Sequence, residues 1–222
     1  MERAYQLDLK IMAKIVFASI CPHPPILLPD IGSMRDKIEI KKTTESLNTL
    51  AGYFVKAVPD EIIISSPHPD WGFNVPLYFL AKNFDGKSIY YMTESKDPIF
   101  YFEEGKKTYG NLNDNAKYAV IASGDLSHCL AENGPYGFNS DGPSFDKELI
   151  EYIKGKNIGG ILQLDEKFPN AGECGLRSVC FLLGILDAYS KSSGFEWQPE
   201  ILSYEGPFGV GYLVAYFKTI FN

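Results

Sequence analysis

Glu61-Ile62-Ile63-Ile64-Ser65-Ser66-Pro67-His68-Pro69-Asp70 is the stretch on which the fold turns. The β-branched run Ile62–Ile64 is too short for a helix and reads as a buried strand. Pro67 ends it, because proline has no ladder donor and presses the residue before it toward extended geometry. His68 then falls in the first loop beyond the strand's carboxyl end, the edge at which open α/β sheets place their ligands. The chain has three histidines, and the other two repeat the arrangement. Ile15–Ile20 runs into Cys21-Pro22-His23-Pro24-Pro25, and Tyr118–Ser123 runs into Gly124-Asp125-Leu126-Ser127-His128. Three histidines, each just after a strand, predict a histidine-lined site along one edge of one sheet.

Working outward, Leu47, Leu50, Ala51, Phe54, Val55 and Val58 follow the i, i+3, i+4, i+7 spacing of one buried helix face. Pro59 follows that helix, so strand 61–66 completes a β-α-β unit with a parallel crossover. A short helix is expected over 72–82 and strands over 88–92 and 118–123. The polar stretch 94–117, with its glycines and asparagines, receives no element. Between His128 and Ser144 lies a loop dense in Gly, Pro, Asn and Asp, of the kind that carries function or moves. A helix is expected from Ser144. A second, over 173–190, is apolar nearly all round and should be central. Two strands, about 197–204 and 209–217, close the chain. The pattern predicts an α/β fold, a mostly parallel central sheet flanked by helices with antiparallel additions near the end.

A chain of 222 residues with 45% hydrophobic residues is expected to form one domain, residues 12–222. Residues 1–11, with alternating charge and no apolar core, read as an appended or disordered tail. A net charge of −7 argues against nucleic acid and anionic membranes as partners. The four cysteines form no CxxC pair, which favours a reduced, cytoplasmic setting.

Two neutral imidazoles and one carboxylate on one side of a metal make the non-haem iron(II) arrangement, with positions left open for substrate and oxygen. His23 and His68 supply the imidazoles. The best carboxylate candidate is Glu173, in Gly172-Glu173-Cys174-Gly175 at the start of the apolar helix, although the helix dipole alone also favours an acid there. Asp125 and Ser127 are turn-formers placed to set the tautomer of His128.

Pro22-His23-Pro24-Pro25, Ser66-Pro67-His68, Ser123-Gly124-Asp125-Leu126-Ser127-His128, Gly172-Glu173-Cys174-Gly175 and a closing Gly209-Val210-Gly211-Tyr212 follow one another in an order that resembles the class III extradiol ring-cleaving dioxygenases. More narrowly, the chain resembles their LigB-like subfamily and the related Memo proteins, from about Lys14 to Phe217. The resemblance implies metal ligation by His23, His68 and Glu173, with His128 as acid/base. It implies iron(II) as cofactor, zinc or copper being the alternatives, and a catechol-type aromatic substrate. It also implies a homo-oligomer or a small partner subunit over the site. Cys174 is the alternative ligand, since in Memo-type relatives a cysteine hereabouts binds the metal and ring cleavage is not the activity.

Overall fold

The computed structural model describes residues 12–221; the expectation for residues 1–11 lies outside them. In chain order the elements are β1 (Lys14–Cys21), α1 (Met34–Glu39), α2 (Lys41–Ala57), β2 (Glu61–Ser66), α3 (Trp71–Leu80), β3 (Lys87–Met92), α4 (Pro98–Gly110) and β4 (Lys117–Ser123). There follow α5 (Asp141–Lys154), the single turns α6 (Ile158–Ile161) and α7 (Leu164–Lys167), α8 (Leu176–Ser193), β5 (Phe195–Glu205) and β6 (Tyr212–Phe221). No helix among the described residues is long and apolar enough to cross a membrane.

The six strands form one sheet in the order β3-β2-β4-β1-β6-β5. β1, β2, β3 and β4 pair in parallel, and β6 joins β1 antiparallel, with β5 outside it. The expected mixed α/β sheet is therefore present. The β1-α2-β2 crossover is parallel as expected, and β4 lies between β1 and β2. That insertion brings the carboxyl ends of β1, β4 and β2 side by side, which is what gathers the three histidine loops.

The sheet is buried on both faces. Ile62 and Ile64 pack into one apolar cluster with Leu47, Leu50 and Phe54 of α2, while Ile63 points into the other with Phe181 and Leu182 of α8. This is the period-2 division of a strand between two cores. In β1 the alternation slips, since Ile15 and Ala18 share a face three residues apart. A register shift between Ile15 and Phe17 accounts for it. The helix α8 is apolar around its circumference because it is wedged between the sheet and α4.

The stretch 94–117, which receives no element from its sequence, holds α4. Pro98 opens that helix, a position where its missing N–H costs nothing. Gly105 belongs to a helix crossing and not to a loop: a Cβ there would strike the Phe181 carbonyl, and one at Gly184 would strike the Phe102 carbonyl. The last helix also begins later than expected, at Leu176 and not 173. Glu173 and Cys174 thus lie in the turn before it.

Candidate metal centre

His23 follows β1 and is held from two directions. Its backbone N–H donates to Asp125 Oδ1 at 3.0 Å, and its Nδ1 lies 3.0 Å from Ser123 Oγ at the end of β4. The Ser123 hydroxyl donates its one proton to the Gly72 carbonyl. It must therefore accept from His23, so Nδ1 carries the ring proton and Nε2 keeps a free lone pair. Burial, then the neighbouring His68 and His128, lower the His23 pKa to about 3, which keeps the ring neutral at physiological pH.

His68 sits in the turn after β2, where Ser66 Oγ both accepts its N–H and donates to its carbonyl. Its ring centroid is 5.3 Å from that of His23 and 5.5 Å from that of Trp71. Gly72 makes this packing feasible, since a side chain there would run into Ser66 and the His68 Cβ. Trp71 gave no signal in the sequence beyond its closeness to His68.

Cys174 completes the set. Gly124, after β4, and Gly175, before α8, let two backbones touch; a Cβ at Gly124 would overlap the Gly175 Cα. The Asp125 carbonyl accepts the N–H of Gly175 at 2.9 Å, and the Asp125 N–H points at Cys174 Sγ from 3.3 Å. Sγ is thereby placed 3.6 Å from His23 Nε2. Donor atoms of His23, His68 and Cys174 lie within 4.8 Å of one another, and so do those of Asp125, His128 and Cys174.

Glu173, expected as the third ligand, is in neither group. Its carboxylate accepts the Leu176 N–H at 2.6 Å and Arg177 Nη1 at 2.7 Å, and Arg177 in turn reaches Asp165 at 3.0 Å. The acid caps α8 and anchors an ion-pair chain, the dipole role open to any acid at that place. Since α8 starts at Leu176, neighbouring side chains in the preceding turn point apart, and it is Cys174 that faces the histidines.

His128 donates its backbone N–H to the Gly172 carbonyl, and its ring stacks on Tyr136 at 5.4 Å and 10°. Its Nε2 is buried and has no hydrogen-bond partner among the described residues. Burial, then His68, lower its pKa. Ser127, expected beside His128, turns away: its Oγ donates to the Ala171 carbonyl and its N–H donates to Asp146 Oδ1. Asp146, unread in the sequence, is buried and also accepts the Tyr204 hydroxyl at 2.7 Å. It ties the 125–129 turn to α5 and β5. Tyr204 is the β5 end of this tie.

The chemistry of these donors fits a transition metal. The His23 lone pair faces a sulfur, the His128 Nε2 is buried without a partner, and the Asp125 carboxyl lies in the same cluster. Burial raises Asp125 to about 7 against the opposing hydrogen bond from His23. Burial, then Asp125, push the Cys174 thiol well above its ordinary range. A cation held by these donors would supply the charge balance that burial denies and favour loss of the thiol proton.

Comparison with known proteins agrees with this frame. Residues 68–215 match the family model of the catalytic LigB subunit of aromatic ring-opening dioxygenase. Protein CA_C1420 of Clostridium acetobutylicum is 32% identical over 277 residues, covering 91% of this chain. The chain spans 57% of that relative's length. The crystal structure of the uncharacterized protein JW3007 from Escherichia coli K12 shares the fold, with a TM-score of 0.57 at 15% identity, over 91% of this chain and 99% of that one. The chain belongs to the LigB family of aromatic ring-opening dioxygenase catalytic subunits.

Proposed function

We propose that this chain is a Memo-like member of the family, a metal-binding protein that holds a transition metal through His23, His68 and Cys174. The observation that carries this reading is the opposite fate of two adjacent side chains. Cys174 Sγ approaches His23 Nε2 at 3.6 Å, while both oxygens of Glu173 are engaged by Arg177 and the Leu176 N–H. A thiolate with two imidazoles selects copper(I) or zinc over the harder iron(II) site of two imidazoles and a carboxylate. Ser123 fixes the His23 tautomer, and Asp125 holds the His23 backbone in place, as the outer partners of metal ligands do.

Extradiol cleavage of a catechol-type substrate is the second reading, supported by the family match and by the unpartnered His128 nitrogen. Iron(II), when bound at His23 and His68, would supply the electrons for dioxygen chemistry. His128, kept neutral by burial, would take a phenolic proton and return it to the opened ring. Trp71 and Tyr136, beside His68 and His128, would flank an aromatic ligand.

Oxygen uptake decides between the two readings. Protein purified without air is loaded separately with iron(II), copper(I) and zinc, and the iron form is offered a panel of catechols. Retention of copper or zinc with no catechol-dependent oxygen uptake supports the metal-binding reading. Catalytic uptake by the iron form, lost in Glu173→Gln and kept in Cys174→Ser, overturns it.

A further inference from the structure

The donors at the strand ends fall into two groups that share a single atom. His23, His68 and Cys174 make one, and Asp125, His128 and Cys174 the other, each with donor atoms within 4.8 Å of one another. An ion with ligand bonds of about 2.0–2.3 Å spans donors no more than ~4.6 Å apart, so one ion is served by one group. When the first group is filled, an imidazole, a carboxylate and an unshared sulfur lone pair remain beside it. The His128 Nε2 is buried without a partner. Asp125 Oδ1 is used by the His23 N–H, but Oδ2 stands 3.9 Å from His23 Nε2, beyond hydrogen-bond range. The His128 nitrogen, buried and unpartnered beside a carboxylate and a sulfur, is in the condition a second cation satisfies.

We infer that the Cys174 sulfur bridges two metal ions, the second held by Asp125 and His128. The inference rests on the assignment of His23, His68 and Cys174 as the first set. It names the class of the pair: borderline ions such as zinc, which accept imidazole, carboxylate and thiolate together. It also gives His128 a ligand's role, which excludes proton transfer at the same nitrogen. The shared backbone contact at Gly124 and Gly175 is what fixes the sulfur between the two sets, because Asp125 and Cys174 are positioned by one another.

Zinc titration of the metal-free, reduced protein, followed by gel filtration and elemental analysis, tests this with zinc alone. Two zinc per chain are expected for the natural protein, one for His68→Ala, one for His128→Ala and one for Asp125→Asn. Cobalt(II) in place of zinc gives a second readout. Two cobalt ions coupled through one sulfur have a weakened electron-spin signal, and His128→Ala restores the full signal of one ion. Circular dichroism confirms that each variant is folded, and Asp125→Asn serves if His128→Ala is not. One zinc in the natural protein, unchanged in His128→Ala and lost in His68→Ala, overturns the bridge while the first set stands. No zinc in any form overturns both.

Discussion

Among the described glycines that bring backbones together, two pairs do so for different ends. Gly105 of α4 and Gly184 of α8 let two helices cross with no side chain between them, in the middle of an apolar core. Gly124 and Gly175 let the turn after β4 meet the turn before α8, at the polar edge of the sheet. The first contact buries surface. The second positions Asp125 and Cys174 against each other and leaves their side chains beside three histidines. The same device yields stability where the neighbours are apolar and a candidate site where they are potential metal donors.

The helix crossing is where a single change does most damage to the fold. Gly184→Val puts branched carbons into the Phe102 carbonyl and is expected to cost about 3 kcal/mol, the upper end for overpacking. Urea unfolding measures the loss, and the fraction that stays folded is expected to bind its metal unchanged. At the site the balance reverses. Gly175→Ala crowds the Asp125 carbonyl and shifts Cys174, so metal affinity is expected to fall 10- to 100-fold, roughly the range for lost outer-shell support, with a smaller change in stability. Equal effects of both substitutions on both measurements would show that the two contacts do not differ in kind.

The legible parts of this chain were those that a local pattern dictates. Ile62–Ile64, bounded by Pro67, could only be a short buried strand, and His68 had to follow it. The helix α4 was hidden because Gly105 and Gly110 read as loop signals, whereas Gly105 serves a crossing with a helix far along the chain, at Gly184. The donor cluster was legible in its histidines, while for its third member the sequence offered Glu173 first and Cys174 only as the alternative. Glu173 and Cys174 are neighbours, and which of them faces His23 depends on where α8 starts and on the place of Arg177. Asp146 gave no signal either, since its role is to hold the Ser127 N–H and the Tyr204 hydroxyl, contacts between distant segments.

Smaller effects sharpen the contrast. Ser123→Ala removes the acceptor that keeps the proton on His23 Nδ1, and metal affinity is expected to fall about 10-fold, measured by competition with a chelator. Asp146 gives a pH signature in the metal-free protein. Burial raises its pKa from 3.8 to about 7, so between these values the folded chain holds a proton that the unfolded chain releases. Stability from this group is therefore present at low pH and lost as pH rises through the folded value. Asp146→Asn, which stays neutral, is expected to flatten that decline. Urea midpoints compared at acidic and neutral pH would show no difference in slope if Asp146 were ionised in the fold.

Cys174, and not Glu173, is proposed as the ligand facing His23 and His68. Metal content of Cys174→Ser and Glu173→Gln, purified side by side without air and loaded with zinc, tests it most directly. The account predicts that Cys174→Ser loses its metal, while Glu173→Gln keeps it and loses only stability through the broken Arg177 pair. Retention of metal by Cys174→Ser together with its loss from Glu173→Gln would contradict the account.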